Sequence, residues 1–281
     1  MVLLGRGIRH SLSPRMWEGI FAELSLSGSY ALRDVDKTAL DAAIADLRAG
    51  RVTHFHVTMP YKRWAFGVAD TYDDSTVGVT QVANSLSLKG DQIMGSNTDV
   101  KAARILFSEL PAPPQRVLVI GAGATAASLV CAANEVASTV LITNRTDDRS
   151  RALADRDWSV RTVPVLWSDR ERHAAGADLI INTAPFGLTV DATPLARWPE
   201  GALLYDLIYS PELTPLQRLA SRAGVRAVDG LAHLQAHAEA TLAARTIAAP
   251  TIERMTAIVT TAAGRAPTRW GLLNGGQKSL P

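Results

Sequence analysis

The sequence has few of the features that mark secreted, membrane-spanning or nucleic-acid-binding proteins. Its single cysteine, Cys131, excludes an intrachain disulfide and a cysteine-rich zinc site. No stretch of about 18 uncharged apolar residues is present, and no apolar leader precedes a cleavage pattern, so we predict neither membrane insertion nor export. The 29 basic and 27 acidic side chains nearly cancel and indicate no nucleic-acid or membrane partner. We therefore expect a cytoplasmic protein that binds a small molecule.

Metal-ligand patterns are also lacking, because His10, His54 and His173 show no ligand-like spacing. Apolar material is abundant: 47% of the 281 residues are hydrophobic and 20% are charged, which allows a sizeable core. This length corresponds to two domains or one large α/β unit, and a monomer and a homodimer both remain open.

The first hundred residues alternate short apolar strands with helices. A serine followed by proline predicts a helix with Ser13 as its N-cap. A strand over 53–57 leads into 58–62, where a proline ends the strand and starts another helix. Residues 85–88 and 92–94 predict a hairpin. The pattern indicates an α/β domain.

A proline cluster over 111–114 marks a domain boundary nearby. Beyond it, very apolar runs suited to the interior of a parallel sheet alternate with helical stretches; these runs cover 116–120, 139–143, 178–183, 202–208 and 225–228. The alternation predicts a doubly wound α/β sheet. From Leu231 an alanine-rich helical region is interrupted at Pro250, and the last dozen residues are typical of a mobile tail.

A glycine turn between a buried strand and a helix has the G-x-G-x-x-A form of a dinucleotide-binding fingerprint. The first glycine permits the tight turn, the second lets the backbone approach a pyrophosphate, and the helix N-terminus attracts the phosphates. A turn that serves only packing is the alternative. The predicted cofactor-binding residues of this turn are Gly121, Ala122, Gly123, Ala124, Thr125 and Ala126.

The cofactor type follows from the end of the second strand of this half. An NAD site usually has an acidic residue there, but the sequence has Asn144, Arg145 and Thr146. Arg145, helped by its two neighbours and by Arg149, can form charge-assisted hydrogen bonds with a ribose 2′-phosphate, so we predict NADP. The alternative is that Arg145 is a solvated loop charge.

Three polar clusters in the first hundred residues are candidates for the substrate. Ser11 and Ser13 put two hydroxyls at a helix N-terminus, which suits a carboxylate, although capping by Ser13 is an equal alternative. Lys62 follows a strand-to-helix turn, where most lysines are solvated. Asp99, in Asn-Thr-Asp before a helix, has helix capping as its common explanation.

Taken together and in this order, these clusters and the glycine turn resemble the shikimate dehydrogenase family. The resemblance covers most of the chain and rests on 7–14, 57–62, 82–85, 97–99, 121–126, 144–146, 206–211, 214–215 and 230–231. It implies an N-terminal α/β substrate-binding domain over 1–100 and a doubly wound Rossmann NADP-binding domain over 101–235. It also implies C-terminal helices over 236–281 that return to the first domain.

The resemblance implies an NADP-dependent oxidoreductase of aromatic amino acid and chorismate biosynthesis that interconverts shikimate and 3-dehydroshikimate. Lys62 and Asp99 would form its catalytic pair; whether Lys62 takes the hydroxyl proton or stabilises the alkoxide by a hydrogen bond stays open. The remaining implied contacts are Ser11, Ser13, Thr58, Asn84 and Tyr209 for the substrate and Gly230 for the cofactor.

The sequence departs from the family pattern at 17–18, where His-Asn is usual, at 100–103, where a glycine-rich continuation is expected, and at two substrate positions. His56 stands where asparagine is usual, and His237 aligns with a glutamine, although Gln235 leaves a two-residue ambiguity. Histidine can become cationic near neutral pH, unlike an amide. We hypothesise that both histidines bind the substrate, make its binding pH-dependent and shift preference toward a related ring acid. The alternative is that the rings merely pack.

Other functions remain as alternatives. The chain could act on quinate or a substituted shikimate, or bind NADP or a ring acid without turnover. A Rossmann reductase for glutamyl-tRNA or methylene-folate would share the second half but would not explain the polar clusters of the first.

Overall fold

The computed structural model describes residues 1–188, 192–225 and 227–270; the predicted mobile tail, from 271 on, lies outside the described residues. The strands are β1 Val2–Gly5, β2 Ala31–Asp34, β3 His54–Val57, β4 Thr71–Tyr72, β5 Ser85–Lys89, β6 Gln92–Ser96, β7 Arg116–Ile120, β8 Thr139–Thr143, β9 Arg161–Val165, β10 Leu179–Asn182, β11 Leu203–Asp206 and β12 Ala227–Val228. The helices are α1 Ser13–Glu23, α2 Leu40–Arg48, α3 Lys62–Val68, α4 Ser75–Thr80, α5 Thr98–Phe107, α6 Ala124–Ala133, α7 Asp147–Ala154, α8 Arg170–Ala174, α9 Pro215–Arg222, α10 Gly230–Ala244 and α11 Ile252–Ala263. The described chain divides into a first unit, 1–98 with 239–264, and a second unit, 99–238 with 265–270.

The first unit is built on a mixed sheet with strand order β2-β1-β3-β5-β6-β4. Strand β1 is parallel to β2 and β3, whereas β5 runs antiparallel to both β3 and β6. The carboxyl ends of β1, β3 and β6 and the amino end of β5 therefore share one edge of the sheet, which we call the loop edge.

Helices cover the first sheet with apolar side chains at helical spacing. In α2, Leu40, Ala43 and Leu47 are buried in one cluster with sheet residues such as Phe55. Helix α11 packs on α1, where Ile258 lies so close to Gly19 that any side chain at Gly19 would collide with it. The predicted return of C-terminal helical structure to the first domain is therefore confirmed.

The start of α1 differs from the sequence-based expectation. We predicted that Ser13 caps this helix, but Ser13 is its first residue and Leu12 occupies the N-cap position without a side-chain cap. That prediction was wrong because the Ser13 hydroxyl is engaged by a neighbouring serine instead of the helix backbone. The N–H of Ser13, the first of α1, donates to the Ser11 hydroxyl at 3.3 Å, and Pro14 has no N–H to offer.

The second unit is built on a parallel sheet with strand order β12-β11-β10-β7-β8-β9. Strands β8 and β9 lie on one side of β7, and β10 to β12 lie on the other. The chain therefore reverses its direction of growth at β7, which is the position where doubly wound sheets bind ligands. The predicted doubly wound fold is confirmed, and β7 and β8 have the predicted boundaries.

Strand β9 is absent from the sequence-based expectation. It contains Pro164, which cannot donate a hydrogen bond to a central ladder and therefore weakens a strand prediction. The structure accommodates this proline because β9 is the edge strand of the sheet and pairs with β8.

Within the described ranges, no helix is long and apolar enough to cross a lipid bilayer. In the same part of the chain, no group of three or more histidine, cysteine or acidic side chains is arranged to hold a metal ion.

Candidate active site

The predicted substrate residues of the first unit come together at its loop edge. The loop after β1 carries Ser11 and Ser13, whose hydroxyl oxygens lie 3.2 Å apart, and the Ser13 N–H also donates to the Ser11 hydroxyl. Ser13 is buried and Ser11 is half-buried. The two hydroxyls at the positive end of α1 form an arrangement that can bind a carboxylate.

The loop after β3 is fixed against the end of β1. The Thr58 N–H donates to Leu4 at 2.9 Å, and the Arg6 N–H donates to Met59 at 3.0 Å. A side chain at Gly5 would lie 2.6 Å from the Thr58 methyl group, so this close approach requires glycine. The threonine is thereby held beside the loop that carries the serine pair.

Lys62 is the first residue of α3 and is buried, with 7% of its surface exposed. Its carbonyl accepts a hydrogen bond from the Ala83 N–H at 3.1 Å, which joins the start of α3 to the segment before β5. A buried lysine beside polar groups differs from the solvated surface residue that is the common alternative.

Asn84 connects the loop edge to the start of α5. Its backbone carbonyl accepts from the Val57 N–H, and its side-chain oxygen accepts from the Thr98 N–H at 2.8 Å and the Thr98 hydroxyl at 2.9 Å. Asn84 therefore caps α5, whose second residue is the buried Asp99.

His56 is deeply packed, with 2% of its surface exposed. One ring nitrogen is 2.8 Å from the Tyr30 hydroxyl and the other is 3.1 Å from the Thr241 hydroxyl. The ring also contacts Trp17, with centroids 5.7 Å apart. Both hydrogen-bonding positions of the ring are thus used within the first unit, which favours packing over substrate contact.

In the second unit, the glycine turn follows β7 at the carboxyl edge of the sheet. Gly121 has a φ of 114°, and a side chain there would collide with the Thr183 hydroxyl, so only glycine fits. Gly123 precedes α6, which has no side-chain cap and no acidic residue in its first turn. Open space surrounds the position where Gly123 would carry a side chain. The turn therefore offers backbone N–H groups to a pyrophosphate.

The loop after β8 presents exposed cations beside this turn. The Gly121 N–H donates to Thr143 at 2.8 Å, which joins the two loops, and Arg145 and Arg149 are both exposed. The Asn144 amide donates to the Thr146 carbonyl and shapes the bend that carries Arg145.

The two acids that follow this bend are engaged by other groups. Asp147 accepts from the Trp167 N–H at 2.9 Å, and Asp148 pairs with Arg151 at 3.1 Å. Arg145 and Arg149 are therefore the charged groups that this loop offers to a ligand, and they suit a 2′-phosphate.

The loop after β11 carries Tyr209 and is anchored by Asp206. The Asp206 carboxylate accepts from the Asn182 amide and the Thr214 hydroxyl, both at 2.8 Å, and from the Ile208 N–H at 3.2 Å. Burial raises the pKa of Asp206 from its ordinary 3.8 to about 6, and these hydrogen bonds oppose the rise only in part. Tyr209 is half-buried at the carboxyl edge of the second sheet.

Helix α10 carries the last predicted residues. Gly230 starts the helix, and a side chain there would collide with the Leu207 carbonyl oxygen, so its immediate role is close backbone packing. Asp229 accepts from the Ala232 N–H and caps the helix. His237 is half-buried on α10, while Gln235 is fully buried.

Sequence reasoning missed one polar residue of the second unit. His233 lies one turn before His237 on α10, and its Nε2 is 3.4 Å from an Asp99 carboxylate oxygen. Its Nδ1 is 2.5 Å from the Tyr205 hydroxyl. The available signal was the four-residue spacing of the two histidines, which places them on one helix face.

Known proteins resemble both halves of the chain. A model of the shikimate dehydrogenase substrate binding domain matches residues 3–84, and a model of shikimate / quinate 5-dehydrogenase matches residues 101–187. The shikimate dehydrogenase (NADP(+)) of Thermosynechococcus vestitus is 33% identical over 83% of this chain and 84% of its own length. The same enzyme of Aeropyrum pernix is 33% identical over 82% and 85%.

A solved structure agrees with these matches. Shikimate 5-dehydrogenase from Thermus thermophilus, in complex with NADP(H) and shikimate, has a TM-score of 0.81 and 27% identity, covering 93% of this chain and 98% of that chain. The predicted family is confirmed: the chain belongs to the shikimate dehydrogenase family.

Proposed function

We infer that this chain is an NADP-dependent dehydrogenase that interconverts shikimate and 3-dehydroshikimate. Relatives of the chain are named for this activity. The observation within the chain that carries the inference is the gathering of a serine pair, a threonine, a buried lysine and an asparagine at one sheet edge. Shikimate is a ring with one carboxylate and several hydroxyls, and it needs an anion site next to hydrogen-bonding groups.

The substrate carboxylate belongs at the serine pair. The Ser13 hydroxyl accepts from Ser11 and can donate its own O–H to the carboxylate, and Ser11 can donate as well once its O–H rotates away from Ser13. The N-terminus of α1 adds a partial positive charge. The ring hydroxyls then fall to Thr58 and Asn84, and Tyr209 and His237 stay predicted substrate contacts. Because both ring nitrogens of His56 have partners within the first unit, the proposal leaves this histidine in the scaffold of β3.

Lys62 and Asp99 are the groups we assign to the reacting hydroxyl. A positioned acid or base that holds or moves the proton at this oxygen accelerates such a step by roughly 10²–10⁴-fold. Lys62 can donate a hydrogen bond to the developing alkoxide, and Asp99 can accept a proton. Both side chains are buried, which limits competition from water.

The second unit suits NADP. When bound, this cofactor accepts a hydride from the carbinol carbon in one direction and returns it in the other. The chain's contribution is to bind and orient it: the turn from Gly121 to Ala126 offers backbone N–H groups, and Arg145 with Arg149 offers cations to the 2′-phosphate.

The proposal includes the assignment of residues 1–100 to the substrate and 101–235 to NADP. Within the predicted returning region 236–281, residues 239–264 belong to the first unit, whereas 236–238 and 265–270 belong to the second. The proposal also includes a cytoplasmic location and an assembly that is a monomer or a homodimer. The single cysteine is buried and fits a reducing compartment.

A direct assay of NADPH formation tests the function. Purified protein is mixed with NADP and with shikimate, quinate or a substituted shikimate, and NADPH formation is followed. We expect turnover with shikimate. Lys62→Ala should lower kcat at least about a hundredfold while NADP affinity is retained. Lys89→Ala removes an exposed lysine at the end of β5 and serves as the matched control. Absence of NADPH with every ring acid, or normal turnover in Lys62→Ala, contradicts the proposal.

A further inference from the structure

A row of three polar side chains leads from the interior of the second unit to Asp99. The Tyr205 hydroxyl lies 2.5 Å from His233 Nδ1, and His233 Nε2 lies 3.4 Å from Asp99 Oδ1. The histidine and aspartate side chains are only 12% and 5% exposed. The three residues come from three separate elements, β11, α10 and α5, so tertiary structure alone brings them together.

Tyr205 is the fixed end of this row. It is fully buried, and its ring meets Phe107 edge-on at 6.0 Å and Trp270 edge-on at 5.9 Å. Burial, followed by the negative charge of Asp99, raises the pKa of Tyr205 well above its ordinary value of 10.0. The phenol therefore keeps its proton throughout the working pH range and can donate it in a hydrogen bond.

The two neighbours of His233 select one tautomer of the neutral ring. If Nδ1 carried the proton, Nε2 would present a lone pair to the Asp99 carboxylate, and the two would repel. With the proton on Nε2, the ring donates to Asp99 and accepts from the Tyr205 hydroxyl at Nδ1. Both interactions are satisfied only in this second tautomer.

The charged groups around the row reinforce the same arrangement. Glu109 follows α5, and Arg269 comes from the segment after α11; two guanidinium nitrogens of the buried Arg269 pair with the half-buried Glu109. The opposite charges of Glu109 and Arg269 largely cancel. The carboxylate that lies next to the His233 ring is that of Asp99.

We propose that His233 is a positioning residue for Asp99, held by Tyr205 in the Nε2–H tautomer so that it orients the carboxylate and favours its ionised form. The role rests on the proposed function of Asp99 in proton handling at the substrate hydroxyl. His233 would thus take part in the dehydrogenase reaction through Asp99, without contact with the reacting atoms.

The test compares His233→Leu with His233→Gln, whose amide can still donate to Asp99. His233→Leu should lower kcat about tenfold to a hundredfold, because a misplaced catalytic group is costly. It should also move the acidic limb of the kcat/KM profile up by about one pH unit, because the ionised carboxylate loses a donor. His233→Gln should restore the position of this limb and much of kcat. Tyr205→Phe should lower kcat about twofold to tenfold, the effect of one neutral hydrogen bond.

Two controls separate this proposal from a structural role. The first control is the Kd for NADP, which is measured on each variant and reports whether the second unit is folded. The second control is the double variant His233→Leu/Tyr205→Phe. It is used if His233→Leu alone unfolds because the buried Tyr205 hydroxyl has lost its partner. An equal loss in His233→Gln and His233→Leu with an unmoved acidic limb overturns the proposal, as does normal kcat in His233→Leu.

A measurement without substrate keeps the proposal separate from the proposed function. NMR of the imidazole nitrogens, with the His233 signals assigned from the His233→Gln variant, should show the Nε2–H tautomer in the wild-type protein and a mixed tautomer in Tyr205→Phe. An Nδ1–H tautomer overturns the positioning role whether or not the protein turns over shikimate. A wild-type protein with the Nε2–H tautomer but no turnover of any ring acid contradicts the proposed function instead.

Discussion

Asp206 should make the stability of the protein fall as the pH rises through the mildly acidic range. Its folded-state pKa of about 6 lies above its ordinary value of 3.8. Between these two values the folded chain binds a proton that the unfolded chain has already released, so stability decreases with rising pH. A difference of about 2.2 pKa units corresponds to roughly 3 kcal/mol of unfolding free energy, lost mostly between about pH 4 and pH 6.5.

The variant Asp206→Asn removes this titration and keeps most of the geometry. The amide oxygen can accept from Asn182 and from the Ile208 N–H, and the amide nitrogen can donate to the Thr214 hydroxyl. Rearrangement of the Thr214 hydrogen bond carries a constant cost of about 1 kcal/mol, independent of pH. The quantity of interest is therefore the change with pH of the stability difference between variant and wild type.

The assay is urea unfolding of both proteins, followed by circular dichroism at a series of pH values. Relative to the wild type, Asp206→Asn should gain about 2–3 kcal/mol between about pH 4 and pH 7.5. Asp178→Asn makes the same chemical change at the exposed amino end of β10 and should not show this gain. A stability difference between Asp206→Asn and wild type that is constant across the series would refute the reasoning.

Three further changes test other parts of the structure. Arg145→Ala should weaken NADP binding about tenfold to a hundredfold with little effect on NAD binding, whereas Arg151→Ala should leave both affinities unchanged. If the ratio of NADP to NAD affinity is the same in the two variants, Arg145 does not recognise the 2′-phosphate. Gly230→Ala drives a methyl group into a backbone carbonyl and should lower the unfolding free energy by about 1–3 kcal/mol or more, whereas Gly67→Ala fills open space on a helix and should be neutral or stabilising in the same urea assay. His56→Asn should lower the unfolding free energy by about 1–3 kcal/mol because a buried hydroxyl loses its partner. It should leave the slope of kcat/KM against pH between about pH 5.5 and 7.5 unchanged, and loss of that slope would show that the His56 ring contacts the substrate.

The parallel sheet of the second unit was the most predictable part of the fold. The runs over 116–120 and 139–143 are so apolar that only a strand covered on both faces accounts for them, and β7 and β8 have these boundaries. Strand β9 was not predicted because Pro164 and polar neighbours give it no such signal, and its existence depends on pairing with β8 at the sheet edge.

The candidate site was predictable only where local sequence carries the chemistry. Gly121 is required by a positive φ and a tight approach that follow from the strand–turn–helix pattern itself. The hydroxyl of Ser13 was predicted to cap α1, but the choice between capping and bonding to Ser11 depends on how the loop after β1 is held. Propensity rules describe what a serine can do locally and do not select among partners.

The sequence by itself determined most of the alternation of strands and helices, the phosphate-binding turn, the cationic loop at 144–146 and the identity of the polar groups offered to a ring acid. These properties depend on residues close together in the chain. Tertiary structure alone decided that His56 is enclosed by Tyr30 and Thr241, and that His233 stands between Tyr205 and Asp99. The reason is physical: what a histidine ring does depends on which donors and charges surround it, and here those groups come from elements separated by up to 185 residues of chain.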